Sequence, residues 1–416
     1  MITVSILGAG NRGTNVYGKI INEQKDKFQI VSICDVNQEK LEYSANLFGV
    51  EKENLFTNED DFFDKKRSDL LLITTLDKDH VRQAKKAIDK GYHILLEKPI
   101  SASEEECLEL LNYAKKYNKI IMVCHVLRYT VAVEKLKELL DSNIIGKLVL
   151  IDHIEQVAYW HQCHSYVRGN WRVTEDTAPM IMAKSCHDMD LLQYFVDSRC
   201  KTVSSYGNLE FFKKENMPKN ATERCMDCPL KDDCAFSAKK IYLDDFVKNN
   251  GKGRWCAKTL VIGEVTEEKL LKALATTNYG KCVFDCDNDV VDNQSVMMEF
   301  ENGVKATFRM TAFTQKGGRQ IHFHGTLGEI YYNETENTIT INVFGKPEEV
   351  IDITKLTTDL SGHGGGDKRM IGKLYEAISD PNVEFDTSLE KSIESHLMCI
   401  AIEKSRLDNG KLKIVH

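Results

Sequence analysis

Three groups of residues have types and spacings that could do chemistry. The first is Gly8-Ala9-Gly10-Asn11-Arg12-Gly13, a G-x-G-x-x-G run that follows a short apolar strand at 3–7 and opens a helix at 14–22. Asp35 closes the second strand, 22 residues after Gly13. In that setting the run reads as a dinucleotide cradle. Gly8 permits the tight turn, Gly10 lets the backbone approach a pyrophosphate, and Gly13 lets helix and strand pack closely, with the helix N-terminus facing the phosphates. The Asp35 carboxylate would accept hydrogen bonds from the adenosine ribose and repel a 2′-phosphate. That favours NAD over NADP. Arg12 argues the other way, because a guanidinium there can pair with such a phosphate. The bland alternative is a glycine turn that binds nothing.

The second group is the loop Tyr159-Trp160-His161-Gln162-Cys163-His164-Ser165-Tyr166-Val167-Arg168-Gly169-Asn170-Trp171-Arg172. Rings beside hydrogen-bonding groups suit a sugar, whose C–H faces stack while its hydroxyls meet polar atoms. Trp160, His161, His164, Arg168 and Trp171 are the candidates here, against the alternative of an ordinary packed loop. Arg128 and Tyr129 are similar candidates at the crossing between domains. His363, in the loop His363-Gly364-Gly365-Gly366-Asp367, either reaches the pocket or belongs to a linker. The third group is Cys225-x2-Cys228-x5-Cys234, with Pro229 fixing a turn. Its spacing suits a structural zinc ion or an iron–sulfur site. The fourth ligand is open among Cys256, Cys282 and Cys286, and free thiols are the alternative.

The elements that must position these groups follow from the hydrophobic pattern. Up to residue 123, apolar strands at 3–7, 29–34, 69–75, 93–96 and 120–124 alternate with amphipathic helices, which implies parallel pairing with both faces covered. Gly91 fits a left-handed helix end, and Ser103 with Glu106 fits a capping box. Beyond that point a helix at 132–142 leads into a strand at 148–157. Strands follow at 290–300, 304–314, 320–325, 328–333 and 338–343, with Glu301-Asn302-Gly303 as a hairpin turn. Helices at 368–379 and 389–408 close the chain. The fold class expected is α/β: an N-terminal Rossmann doubly wound parallel sheet over 1–123, then an α/β domain over 124–416 with a large open, mostly antiparallel sheet. A polar, cysteine-containing insertion covers 207–285.

The chain has 416 residues and a net charge of −8. That balance gives no general attraction for nucleic acid or anionic lipid. No run of about 18 apolar residues suggests a membrane span. The start, MITVSILGAG, reads as a strand and lacks the basic region and cleavage site of a signal peptide. The expected location is the cytoplasm, where the 13 cysteines would be mostly reduced.

Glu97-Lys98-Pro99 after the fourth strand, the N-terminal fingerprint, His187-Asp188 and the large sheet together resemble the Gfo/Idh/MocA oxidoreductases across essentially the whole chain. The resemblance implies that one face of the open sheet covers the nicotinamide and the other makes a dimer or tetramer contact. It implies that Lys98 sits beside nicotinamide and substrate, and that a downstream histidine is the acid/base residue. Asn11, Thr75, Glu97 and Lys98 then join the glycines, Arg12 and Asp35 as cofactor contacts, and Asp188 joins the substrate contacts.

Hydride leaves a carbinol carbon as its hydroxyl loses a proton, so the site needs a base and a cation near that oxygen. Lys98 suits the cation and His187 the base. The family pattern has an aspartate four residues before the histidine; here that position is Ala183. Lys184, three residues before His187, would share a helix face with it, lower its pKa, and could itself meet the substrate. The leading reading is an NAD-dependent dehydrogenase of a sugar, glycoside or cyclitol. A second is an NAD-dependent glycosidase working by transient ring oxidation and elimination. A third is a non-enzymatic sensor of NAD and sugar.

Overall fold

Six short strands carry the first 123 residues: β1 (Ile2–Leu7), β2 (Phe28–Cys34), β3 (Leu55–Phe56), β4 (Leu70–Ile73), β5 (His93–Leu96) and β6 (Ile121–Val123). The computed structural model describes all 416 residues. The strands pair in the order β3-β2-β1-β4-β5-β6, every pair parallel. Every residue of β4 is buried, as a strand covered by helices on both faces requires. Parallel strands put their C-terminal ends at one edge. The glycine run after β1, Thr74-Thr75 after β4 and Lys98 after β5 therefore meet there. Chain order reverses between β1 and β4, the switch point where such sheets open a crevice.

The second sheet has nine strands: β7 (Leu148–Gln156), β8 (Cys200–Asn208), β9 (Asn293–Phe300), β10 (Lys305–Thr311), β11 (Gly318–Gly325), β12 (Gly328–Asn333), β13 (Thr338–Val343), β14 (Glu349–Asp352) and β15 (Lys413–Ile414). Their order is β14-β13-β12-β11-β7-β10-β9-β8-β15, and only β7 and β10 run parallel. Residues alternate in burial along the central strands. Ala306, Phe308, Met310, Ile321 and Phe323 face inward toward the helices Cys186–Val196 and Leu389–Leu407. His153 and Glu155 of β7 and Arg319 of β11 are also buried, so the covered face carries charge as well as apolar surface.

The fingerprint helix begins at Asn11 rather than 14. Gly91 and Gly303 take the left-handed backbone their turns need. Ser103 caps its helix by accepting from Glu106 N, but the Glu106 carboxylate accepts from Ser101, so the capping box is half formed. β8 was not anticipated. Its sequence, CKTVSSYGN, alternates too weakly to announce a strand, and it displaces the start of the insertion. The insertion has its own small core around Phe212, Tyr242, Leu270 and Phe284, and that core also takes in Cys163 and Val167 of the aromatic loop. No helix is long and apolar enough to cross a membrane.

Candidate active site

The glycine run is shaped for a close-lying ligand. Gly8 has φ +96°, and a side chain there would strike Thr74 backbone at 2.7 Å. A side chain at Gly13 would meet the Gly8 carbonyl at 2.2 Å. At Gly10 nothing lies within 4 Å, so the open side of the cradle is at the residue whose backbone must approach a pyrophosphate. Asp35 braces the turn: its carboxylate accepts from Ala9 N at 2.7 Å and Asn37 N at 2.8 Å. Each oxygen keeps a lone pair for a ribose hydroxyl. Asn11 is exposed at the helix start, and Thr75 borders the same turn while bonding Gln83 at 2.6 Å. These residues fit a dinucleotide.

Two residues expected to touch the cofactor do something else. Arg12 donates to Glu97 at 2.7 Å and to Asp367 at 2.8 Å, and lies over the Tyr17 ring. Glu97 also accepts from Tyr17 at 2.8 Å and from Lys98 N at 2.9 Å. The two side chains pair with each other because both are largely buried, where unpaired charge is costly. The guanidinium is thus committed to carboxylates and not held free for a 2′-phosphate.

The β5 strand delivers Lys98 to the crevice, and its ammonium donates to the Ala183 carbonyl at 3.0 Å. That contact fixes it beside the start of the helix Cys186–Val196, which carries His187. His187 is 8% exposed and its Nδ1 has no partner. Burial, then Lys98, His125 and His363, hold its pKa well below the ordinary value, so the imidazole is neutral. His363 is placed at this pocket: its ring lies 6.2 Å from that of His187, and its Nδ1 is 3.0 Å from Asp367.

Lys184 is not where it was expected. The helix Met180–Ala183 stops, Ser185 leaves helical geometry, and a new helix starts at Cys186, so Lys184 and His187 share no face. Lys184 instead pairs with Glu155 at 2.7 Å, and Lys98 is the lysine that acts on His187. Asp188 turns into the protein. It is fully buried between Arg319 at 2.8 Å and His153 at 2.9 Å. Burial raises its carboxyl, but Arg319 and His153 overcome this and hold it well below the usual range. Arg319 also reaches Glu155 at 3.1 Å. The chain Lys184–Glu155–Arg319–Asp188 braces the floor beneath His187.

The aromatic loop divides. Trp171 donates toward Asp77 at 3.5 Å, beside Lys98. Trp160 stacks on His161, and Trp255 of the insertion meets both rings. All are partly exposed. His161 lies near Lys184, which with burial keeps it neutral. His164 and Arg168 turn inward. His164 bonds Tyr242 and Thr259, and Arg168 bonds the carbonyls of Lys281 and Phe236. Arg128 forks onto Asp190 at 2.8 and 2.7 Å, and Tyr129 bonds Thr387 at 2.8 Å. These four, taken as substrate contacts from their types, are buried and bond within the protein. Their partners lie at sequence separations that no local pattern reveals, and Arg168 keeps Nη1 without one.

Two residues went unnoticed in the sequence. Asp77 is buried, its Oδ2 has no partner, and burial raises its carboxyl against His80 and Lys98. His125 is fully buried behind His187, with ring centroids 6.0 Å apart. A lone aspartate in a loop and a histidine ending a strand give no periodic signal.

The three motif cysteines do not form a closed ligand set. The three side chains with ligand atoms all within 4.8 Å are His322, His324 and Glu329, on the outer face of the second sheet. All 13 cysteines are free thiols. A broad concavity of about 610 Å³ also lies on that outer face, lined by Asp152, Met297, Arg309 and His322 among others, away from Lys98.

A parallel sheet with a glycine cradle at its switch point, abutting an open sheet that carries charge on its covered face, defines an NAD-binding oxidoreductase of two-part build. Residues 2–125 match the model described as oxidoreductase family, NAD-binding Rossmann fold, and residues 137–413 match its C-terminal alpha/beta domain. The chain belongs to this Gfo/Idh/MocA family. It is 21% identical over 408 residues to the protein named oxidoreductase YteT of Bacillus subtilis, covering 93% of this chain and 91% of that one. It is 19% identical over 207 residues to an inositol 2-dehydrogenase of Salmonella typhimurium, covering 49% of this chain and 57% of the relative. A levoglucosan dehydrogenase solved with NADH and L-sorbose shares the fold, with a TM-score of 0.71, 17% identity, and coverage of 100% and 99%.

Proposed function

We propose that this protein is an NAD-linked dehydrogenase that removes hydride from a carbinol carbon of a sugar, glycoside or cyclitol. The observation that carries the reading is the meeting of Lys98 and neutral His187 beside the glycine cradle. Gly8, Gly10, Asn11 and Gly13 would hold the pyrophosphate, and Asp35 the adenosine ribose. When bound, the nicotinamide supplies the hydride acceptor.

The chain's own residues supply the rest. The Lys98 ammonium donates to the substrate hydroxyl and favours negative charge on its oxygen as that charge develops. His187 takes the hydroxyl proton on Nε2, since Nδ1 is sealed inside the protein. Its depressed pKa keeps it unprotonated and ready at neutral pH. Lys98 is held by one carbonyl and can turn to a substrate at little cost. Trp160, His161 and Trp171 offer ring faces and polar edges for a polyol. Support for this substrate class comes from those rings and from relatives named for inositol and levoglucosan.

The reading is tested by mixing protein, NAD and a panel of sugars, glycosides and cyclitols, and following the near-ultraviolet absorbance of reduced nicotinamide. Lys98→Met should abolish turnover while NAD still binds. Absence of reduction across a broad panel counts against the reading.

A further inference from the structure

The insertion gathers four thiols that hydride chemistry does not use. Cys225 and Cys228 flank one tight turn, and Cys234 ends the next, with its N–H bonded to the Leu230 carbonyl at 2.9 Å. Cys282 arrives from a distant segment. It is docked by its own N–H donating to the Glu223 carbonyl at 2.7 Å, and by the neighbouring Arg224–Lys281 bridge. Cys225, Cys228, Cys234 and Cys282 line one cavity of about 20 Å³, closed on its other sides by Leu230 and Phe284 among others.

An independent observation points to negative charge in this place. Arg168 is 1% exposed, and its guanidinium has no carboxylate partner. It donates to two carbonyls, at 2.7 and 2.8 Å, and to the Cys225 sulfur at 3.4 Å, while Nη1 has no partner at all. A buried cation without a counter-ion is strongly unfavourable. Neutral thiols do not provide that counter-ion, whereas metal-bound thiolates do.

We propose that Cys225, Cys228, Cys234 and Cys282 ligate a thiophilic metal centre, with Arg168 as its buried counter-cation. An all-thiolate set suits zinc or iron–sulfur chemistry. On metal entry the four thiols release four protons to solvent and four metal–sulfur bonds form. A divalent ion, or a cluster core of the same charge, then leaves a net charge of −2 beside Arg168. No three of the sulfurs are yet within 4.8 Å of one another. A single zinc, with sulfurs at about 2.3 Å, would draw the two turns inward, whereas a cluster accepts a wider set. Either centre pins the Cys225–Cys234 turns to the Cys282 segment. The role is structural, since Lys98 and His187 lie elsewhere.

The full-length protein, purified without chelator and without oxygen, is assayed for zinc, iron and sulfide. The proposal expects roughly one zinc per chain, or iron and sulfide in about equal amounts with visible charge-transfer absorption. Cys228→Ser and Cys282→Ser should each cut metal content to below about a tenth, while Cys286→Ser retains it. Should those variants fail to fold, alkylation of the wild type serves instead. The four thiols should be protected as purified and react after chelation. A chain that stays metal-free after reconstitution with zinc, and with iron and sulfide, overturns the proposal. So does full metal in both serine variants, or a disulfide among the four cysteines.

Discussion

Replacing Asp35 by serine tests how the cradle chooses its dinucleotide. The carboxylate sits at the end of β2 and already accepts one backbone N–H on each oxygen, from Ala9 and Asn37. On the proposed reading its remaining lone pairs would accept from the adenosine ribose. A charge-assisted hydrogen bond contributes about 1.5–3 kcal/mol, and serine keeps one weaker acceptor. A net loss of about one such bond weakens NAD by roughly 10- to 150-fold. In the wild type a 2′-phosphate would meet this carboxylate, so NAD should bind at least about tenfold tighter than NADP, or roughly 1.4 kcal/mol. Asp35→Ser should bring the two affinities together. Arg12 enters as the control. Its guanidinium is held by Glu97 and Asp367, so Arg12→Ala should leave the NAD-to-NADP ratio unchanged. It should instead lower stability by about 3 kcal/mol, by stripping the counter-charge from two buried carboxylates. Calorimetric titration of both dinucleotides into the three proteins gives the ratios. Equal or tighter NADP binding by the wild type, or a ratio that moves with Arg12→Ala alone, refutes the reasoning.

His187→Asn removes the base while keeping a polar side chain, and kcat should fall by about 10²- to 10⁴-fold with NAD affinity intact; a wild-type rate would remove His187 from the chemistry. Asp188→Asn should lower unfolding free energy by about 3 kcal/mol in denaturant titration, the low end for a broken buried pair, because Arg319 keeps Glu155; an unchanged midpoint would mean that the Lys184–Glu155–Arg319 chain does not need it. His125 and His396 are buried and neutral, with pKa values held by burial at about 4 and about 3 against 6.5 for a free imidazole. The unfolded chain binds the extra protons below pH 6.5, so stability is complete above that value and falls as pH drops toward 4. The slope is about 1.4 kcal/mol per pH unit for each histidine, and urea midpoints at pH 7 and pH 5 should differ accordingly.

Much of this architecture was legible because it rests on local rules. Apolar runs such as Leu70–Ile73, the glycines with special backbone needs, and the hairpin at Gly303 each declare themselves within a few residues. The placing of Lys98 at a strand end and of His187 at a helix start was legible for the same reason, since one follows a strand in a short motif and the other opens a helix. The candidate residues that the fold turns inward share a different trait. Arg128, His164, Arg168 and Asp188 look like binding groups by type, and each bonds a partner 57 to 131 residues away. Lys184 failed for a local reason, the break at Ser185 that separates two helices. Asp77 acquires meaning only from Trp171 and Lys98 across the crevice. β8 was hidden because Ser204 and Ser205 blur its alternation, while its pairing with β9 is what makes it a strand.

The proposed function has Lys98 and His187 support hydride transfer from the carbinol carbon of a polyol to NAD. Its most direct test is a polyol deuterated at the carbinol carbon, chosen from those the wild type oxidises, with the cofactor analysed for transferred deuterium. The account requires deuterium on the reduced cofactor from the wild type, and none above background from Lys98→Met under conditions where that variant still binds NAD. Deuterium transfer by Lys98→Met at the wild-type rate, or reduced cofactor from the wild type that carries no deuterium, would contradict it.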